Sequence, residues 1–163
     1  MAILLRLWHL FLTYGIMNII LGLKKKNFPD LQAIEKHYIR TQGAFLVATV
    51  EDKIVATVAC NKLGARTFVI KRMFVNKQYR GFGVAQSLLN KLFSHIASNE
   101  KTNKVSFCLS TKEVDAIAAK ALYLKNGFRK VDRSVLPENF PFFEQDDLFM
   151  LKEYANDRTE VGT

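Results

Sequence analysis

Apolar side chains recur along the chain at two different spacings, which predict where helices and strands lie. The runs with helical spacing cover residues 30–41, 84–98 and 114–126. The short β-rich runs, which predict strands, cover residues 44–50, 54–60, 66–76, 104–110, 128–133 and 148–154. Strands that alternate with helices in this order indicate an α/β domain.

The beginning of the chain has two interpretations. Residues 2–23 form its most apolar stretch and are followed by the basic cluster 24–26. About twenty apolar residues span a bilayer, and a basic cluster beside them sets orientation, so a membrane segment is one interpretation. Arg6 and Asn18 interrupt the run, however, and a charged residue is costly inside a bilayer. We therefore favour a helix over residues 3–14 that packs on the core, with the membrane segment as the alternative.

Composition supports one folded domain and narrows the choice of partners. With 163 residues, 49% of them hydrophobic, the chain can bury one sizeable core. We predict an apolar N-terminal helix and basic loop over 1–26, a folded domain over 27–155 and a flexible tail over 156–163. The net charge of +9 is uneven, because residues 61–130 contain fourteen basic and three acidic residues. A polyanionic ligand is therefore expected at this central segment.

The histidines and cysteines argue against a metal site and against a disulfide scaffold. His9, His37 and His95 are isolated in the sequence, so no zinc-ligand spacing is present. Cys60 and Cys108 match neither a metal-binding nor a redox spacing, and two cysteines are too few for a disulfide framework. The sequence predicts no metal cofactor and a cytoplasmic location.

The segment between the third predicted strand and the helix at 84–98 has the composition of a phosphate-binding loop. Its residues are Arg80, Gly81, Phe82, Gly83, Val84 and Ala85. Glycine lets the backbone approach a ligand closely, and the first amides of a helix have no helical partner, so they can bind an anion. The P-loop motif is absent, and Gln86 stands where a dinucleotide fingerprint has its third glycine. A glycine turn without a ligand is the alternative interpretation.

This loop resembles the pyrophosphate loop of the GNAT superfamily of acyl-CoA-dependent N-acetyltransferases, whose pattern is Arg/Gln-x-x-Gly-x-Gly/Ala. Arg80, Gly83 and Ala85 match that pattern. Residues 73–75 are similar to the end of the family's fourth strand, and residues 121–128 to its late helix and the following turn. The resemblance covers about residues 30–154.

The resemblance implies a single α/β domain with a mixed, mostly antiparallel central sheet flanked by helices. The family's first strand is hard to find before the apolar run, so we expect it to be missing. The sheet edge would then be exposed or covered by a partner, such as a second copy of the chain in a homodimer.

The resemblance also implies transfer of an acetyl group from acetyl-CoA to an amine. Backbone groups of Met73 and Val75 would pair with the pantetheine arm as an added strand does. The amides from Gly81 to Ala85 would hold the pyrophosphate. Tyr123 matches the tyrosine that protonates the departing CoA thiolate, a role that suits a phenol with an ordinary pKa of about 10. Packing alone is the alternative role for Tyr123.

Two positions depart from the family pattern. Many members have an asparagine seven residues before this tyrosine, where this chain has Ala116, and a glutamate base on the fourth strand, near Val69. No general base is assigned, and the candidates are an ordered water, Glu144, Asp146 and Asp147. These departures leave a second hypothesis open, a CoA-binding sensor or interaction module with little turnover.

The expected acceptor is a primary amine on a small molecule or peptide. The last 33 residues contain eight acidic and three basic residues, which suits a cationic amine. No cysteine, serine or histidine has an evident nucleophile arrangement, which favours direct transfer. A nucleic-acid partner is not expected, because the basic residues of 61–130 are scattered without an aromatic and basic groove pattern.

Overall fold

Seven strands form the sheet in the computed structural model, which describes residues 4–6, 29–100, 104–112, 116–141 and 147–155. The strands are β1 (Leu4–Arg6), β2 (Ala44–Val50), β3 (Lys53–Lys62), β4 (Thr67–Val75), β5 (Lys104–Lys112), β6 (Arg129–Lys130) and β7 (Asp147–Ala155). Their order is β1-β2-β3-β4-β5-β7-β6, and β4 with β5 is the one parallel pair among the registers described. The predicted α/β fold with a mixed, mostly antiparallel sheet is confirmed.

The helices match the predicted pattern except near the first one. They are α1 (Pro29–Gln32), α2 (Glu35–Ile39), α3 (Val84–Asn99) and α4 (Ile117–Lys125), with 3-10 turns at Lys77–Tyr79 and Arg133–Val135. The continuous helix predicted over 30–41 is two short helices. The second is a π-helix, in which the Arg40 amide donates to the Glu35 carbonyl oxygen, five residues back, at 2.9 Å.

Strand β1 corrects the prediction for the beginning of the chain. Leu4–Arg6 pairs antiparallel with residues 47–49 of β2. The predicted helix over 3–14 is therefore wrong at these three residues, and the first strand is present rather than missing. The apolar spacing of residues 3–14 is a local signal only, whereas the open edge of β2 supplies the hydrogen bonds that favour a strand. The rest of residues 2–23 and the predicted tail at 156–163 lie outside the described residues.

The chain forms two compact units, the first comprising residues 1–61 and 70–92, the second residues 62–69 and 93–163. In the first unit, Leu31, Tyr38, Phe45 and Ala59 form a buried cluster. The ring of Tyr38 meets that of Phe45 edge-on at 5.3 Å between centroids. This cluster packs α1 and α2 against β2 and β3.

The second unit has its own core. Val69, Cys108, Leu136 and Phe140 form one buried cluster. A chain of aromatic rings, with centroids 4.7 to 6.3 Å apart, consists of Phe93, Phe107, Phe128 and Tyr154. These contacts join α3, β5, β7 and the residue before β6 through aromatic side chains.

Both cysteines of the chain are buried free thiols. Cys60 lies on β3 and Cys108 on β5, and neither forms a disulfide. Burial raises the pKa of each thiol to about 12. The cysteines therefore act as small apolar core residues.

Replacing Gly43 with alanine is expected to lower the free energy of unfolding by about 1–3 kcal/mol. A Cβ at Gly43 would lie 2.1 Å from the Cys60 carbonyl oxygen and 2.9 Å from that of Tyr38, both of them backbone atoms. Urea denaturation would measure the loss. Gly64→Ala is the matched control, because no described atom lies within 4 Å of a Cβ there. Equal unfolding midpoints for the two variants would contradict this packing.

Candidate active site

Strand β4 leads into the glycine loop, and its end is anchored to β3. The Asn76 amide donates to the carbonyl oxygen of Val55 at 2.8 Å. The Asn76 side chain accepts from the Gln78 amide at 3.2 Å and so caps the 3-10 turn that follows. These bonds fix the point at which the strand ends and the loop begins.

Gly81 and Gly83 have backbone conformations that glycine adopts readily and other residues do not. Their φ angles are +83° and +76°, in the left-handed region where a Cβ crowds its own backbone. A Cβ at either glycine would meet no described atom within 4 Å. Helix α3 begins at the next residue, Val84. The predicted loop is therefore a turn that leads into a helix, and no described side chain blocks a ligand from its two glycines.

The first turn of α3 presents backbone amides that have no acceptor within the helix. Its first hydrogen bond runs from the Ser87 amide to the Gly83 carbonyl oxygen at 3.0 Å, and the amides of Val84 and Ala85 precede it. These N–H groups and the positive end of the helix dipole suit a diphosphate.

Arg80 adds positive charge to the loop and connects it to β4. Its Nε donates to the Val75 carbonyl oxygen at 3.0 Å, and the guanidinium has further N–H donors. The Phe82 side chain between the glycines is 67% exposed. Residues 80–86 contain amides and a guanidinium but no carboxylate. This donor set fits the pyrophosphate of CoA.

Met73 and Val75, the residues expected to pair with the pantetheine arm, are half-buried near the end of β4. The described parallel register of β4 with β5 comprises Thr67, Phe68 and Val69, so it includes neither of them. The Val75 carbonyl oxygen accepts from Arg80 and has a second lone pair for another donor. The pairing with pantetheine stays a prediction.

Tyr123 belongs to the second unit, where the end of α4 holds it firmly. Its side chain is 6% exposed, and its ring meets that of Phe128 edge-on at 5.5 Å. The Phe128 amide donates to the Tyr123 carbonyl oxygen at 3.0 Å. Lys152 Nζ donates to the Asn126 carbonyl oxygen at 2.7 Å, which places a cation at the helix C-terminus. Burial raises the pKa of Tyr123 to about 12, so the phenol is protonated at neutral pH.

The sequence did not point to a polar cluster on β4. Arg72 has a φ of +53° in the middle of the strand and forms a bidentate ion pair with Asp30 of α1, with N···O distances of 2.8 and 2.6 Å. The Tyr38 hydroxyl also donates to Asp30. Burial alone would raise the pKa of the Asp30 carboxyl, but the hydrogen bonds from Arg72 and Tyr38 outweigh it and hold this pKa below its ordinary value. No local sequence signal marks an arginine with positive φ.

Within the described residues there is neither a metal-binding cluster nor a membrane-spanning helix. There, no group of three or more histidine, cysteine, aspartate or glutamate side chains can hold a metal ion. No helix in the same ranges has both the length and the apolar character needed to cross a membrane. Because residues 7–28 lie outside those ranges, the membrane alternative for residues 2–23 stays a prediction, as does the absence of a metal.

A family model described as the acetyltransferase (GNAT) domain matches residues 41–130, more than half of the chain. The chain belongs to the GNAT family. The match includes β4, the glycine loop and α4, and it confirms the resemblance seen in the sequence.

A relative and two solved structures are similar to this GNAT chain. N-acetylaspartate synthetase from Xenopus tropicalis is 36% identical over 104 residues, which are 63% of this chain and 37% of that protein. The chain therefore spans little more than a third of the length of that relative. A GNAT-family acetyltransferase from Staphylococcus aureus Mu50 has a TM-score of 0.82 at 26% identity, covering 93% of this chain and 99% of that one. The PaiA N-acetyltransferase from Thermoplasma acidophilum, solved with coenzyme A, has a TM-score of 0.71 at 14% identity, covering 94% and 100%.

The structure describes the two positions that depart from the GNAT pattern and one of the candidate bases. Val69, near the usual glutamate, is buried and paired with Cys108 in the parallel register. Ala116 stands at the N-cap of α4 and supplies no side-chain cap. Asp147, one of the candidate bases, begins β7 and is half-buried, whereas Glu144 and Asp146 lie outside the described residues.

Proposed function

We propose that this chain is an acetyl-CoA-dependent N-acetyltransferase that acts on a primary amine by direct transfer. The observation that carries the proposal is the loop of residues 80–85, whose two left-handed glycines lead into the N-terminus of α3 in a GNAT chain. Acetyl-CoA supplies an acetyl thioester. The amine nitrogen forms the new bond to the acetyl carbon, and the bond from that carbon to sulfur breaks.

The roles proposed for the first unit are binding and orientation. The amides from Gly81 to Ala85 receive the pyrophosphate oxygens, and Arg80 offsets their charge. Backbone groups of Met73 and Val75 pair with the pantetheine arm. Orientation of this kind lowers the barrier because the reacting atoms no longer have to find each other in solution.

Tyr123 is proposed as the general acid. Its hydroxyl proton passes to the sulfur as the bond from carbon to sulfur breaks, so that CoA leaves as a thiol rather than a thiolate. Burial raises the pKa of Tyr123 to about 12, so the phenol is protonated over the working pH range.

The amine must lose a proton, and water is the proposed acceptor. Strand β4 contains no acidic residue. Asp30 does not suit a base, because Arg72 and Tyr38 occupy its oxygens and its pKa is held low. The rate is therefore expected to increase as the pH approaches the pKa of the amine.

The remaining proposals concern the amine acceptor, the bounds of the catalytic domain, the cellular location and the partners. Because the name of one relative specifies N-acetylaspartate, amino acids belong in the first amine panel beside polyamines and peptides. We propose residues 27–155 as the catalytic domain. The two free cysteines support a cytoplasmic location. A homodimer and the lack of a nucleic-acid partner stay predictions.

The second candidate function is a CoA-binding module with little turnover. Two observations favour it, namely that Val69 is a buried apolar residue where many family members have a base and that Ala116 supplies no polar side chain before α4. This candidate requires the same cofactor loop but no chemistry.

Calorimetric titration with acetyl-CoA and with desulfo-CoA separates the candidates when it is combined with an amine panel. Binding of both ligands together with amine-dependent release of CoA would support the transferase. Tight binding without release across the panel would support the binding module. If neither ligand binds at millimolar concentration, both candidates are wrong.

A further inference from the structure

Arg72 occupies an unusual backbone conformation inside a strand. Its φ of +53° lies in the left-handed region, which a residue with a Cβ enters only at a free-energy cost. Left-handed residues within strands are usually glycines at bulges, and such interruptions change the direction in which the following residues point. Strain of this kind persists when surrounding contacts stabilise it, and it is concentrated at functional sites.

Three contacts hold Arg72 in this conformation. Its guanidinium forms two hydrogen bonds with Asp30, at 2.8 and 2.6 Å, and the two side chains are only 26% and 19% exposed. Tyr38 donates its hydroxyl hydrogen to the same carboxylate. Thr57, a buried residue of β3, donates through Oγ1 to the Arg72 carbonyl oxygen at 2.8 Å. Side chain and backbone of Arg72 are thus both anchored within the first unit.

The charges around Arg72 show why the carboxylate is needed. Lys71, the preceding residue, is also half-buried, and its pKa is lowered, chiefly by burial and also by the nearby charge of Arg72. Asp30 is the anion that offsets both cations. Without it, two like charges on adjacent residues would repel each other in a partly desolvated place.

The position of Arg72 connects this cluster to the cofactor. Arg72 immediately precedes residues 73–75, the part of β4 proposed to pair with the pantetheine arm. Two hydrogen bonds to β3 flank those residues. Before them, Thr57 donates to the Arg72 carbonyl oxygen. After them, the Asn76 amide donates to the Val55 carbonyl oxygen. The left-handed turn at Arg72 therefore sets the direction of the backbone of residues 73–75, between these two hydrogen bonds.

We propose that Asp30, Tyr38 and Arg72 are positioning residues that hold the left-handed turn of β4 and so orient the backbone of Met73 and Val75 for the pantetheine arm. This inference rests on the proposed function, since it assumes that acetyl-CoA is the ligand. It predicts that loss of the cluster weakens binding of the pantetheine part of the ligand and spares the nucleotide part, which the glycine loop holds.

The test compares two ligands on a set of variants. Acetyl-CoA probes the strand and the loop together, whereas 3′-phosphoadenosine 5′-diphosphate, the nucleotide half of CoA, probes the loop alone. Arg72→Ala is expected to raise the Kd for acetyl-CoA about tenfold and to change that for the nucleotide less than twofold. Arg72→Gly should recover part of the loss, because glycine adopts positive φ without a cost. Rescue by glycine would not follow from loss of a structural ion pair.

Two further variants complete the set. Tyr38→Phe keeps the buried ring and removes one hydrogen bond to Asp30, so it covers the case in which Arg72→Ala does not fold, and a two- to fivefold rise in the Kd for acetyl-CoA is expected. Arg40→Ala is the matched control, because the pair of Arg40 with Glu35 is exposed, and neither Kd should change.

The possible failures are distinguishable. If the unaltered protein does not bind acetyl-CoA, the proposed function is wrong. If it does bind and the folded Arg72 and Tyr38 variants bind acetyl-CoA as tightly as it does, the positioning role is wrong. The positioning role would also be wrong if Arg72→Ala raised the Kd for both ligands equally and Arg72→Gly bound no more tightly than Arg72→Ala.

Discussion

Replacing Tyr123 with phenylalanine is expected to lower kcat by about 10²- to 10⁴-fold and to change the Kd for acetyl-CoA less than twofold. The substitution removes the proposed proton donor and keeps the ring that meets Phe128 edge-on at 5.5 Å. Steady-state rates with a saturating amine would measure the loss of turnover, and calorimetry would measure affinity.

Tyr154→Phe is the control for this prediction. Tyr154 lies in the same unit and contacts the rings of Phe93 and Phe107, but no chemical role is proposed for its hydroxyl. Its loss should leave kcat unchanged. An equal fall in turnover and affinity for Tyr123→Phe, or an unchanged kcat, would show that Tyr123 is a packing residue.

The raised pKa of Tyr123 determines how kcat should depend on pH. An acid acts only while protonated, and burial raises this pKa to about 12. Ionisation of Tyr123 should therefore not lower kcat as the pH rises through 10, where an ordinary tyrosine ionises. A fall in kcat centred near pH 10 that is absent from Tyr123→Phe would contradict the burial described here.

Replacing Gly83 with alanine is expected to raise the Kd for acetyl-CoA about 10- to 100-fold. The φ of +76° costs a residue with a Cβ about 1–2 kcal/mol, and the loop would relax away from the binding conformation. A Cβ there would meet no described atom within 4 Å, so the effect comes from the backbone conformation and not from a clash. Calorimetry with desulfo-CoA measures this effect without turnover.

The control for the loop is Gly64→Ala. Gly64 is exposed, has no positive φ, and a Cβ there would meet no described atom within 4 Å. This variant should bind desulfo-CoA as the unaltered protein does. A Gly83→Ala protein that binds with the same affinity would mean that the loop does not contact the pyrophosphate.

Much of the fold was predictable because its signals are local. The stripe of apolar side chains in α3 and the alternating runs of β2 to β5 repeat within a few residues, so the predicted bounds differ from the observed ones by no more than about two residues. Strand β1 was not predictable in this way. Its three residues lie at the start of the apolar stretch 2–23, and what makes them a strand is pairing with residues 47–49, more than forty positions away.

The candidate site likewise contains a part that was predictable from local sequence and a part that was not. Glycines at positions 81 and 83 indicate a left-handed turn before a helix, so the candidate loop was predictable from the sequence. Arg72 was not, because arginine has no preference for positive φ and the carboxylate that stabilises it lies 42 residues earlier. The candidate loop therefore has a local sequence signal, whereas the ion pair of Arg72 with Asp30 on the strand before it has none.

The burial of the two cysteines determines how turnover can be followed. Each is a thiol with a pKa raised to about 12 and has no exposed surface, so neither reacts readily with a chromogenic disulfide such as Ellman's reagent. Each acetyl transfer releases one CoA, whose small and solvated sulfhydryl does react. The absorbance in the cuvette should therefore report product alone, and progress curves can be recorded continuously at high enzyme concentration, where a slow acceptor first becomes detectable.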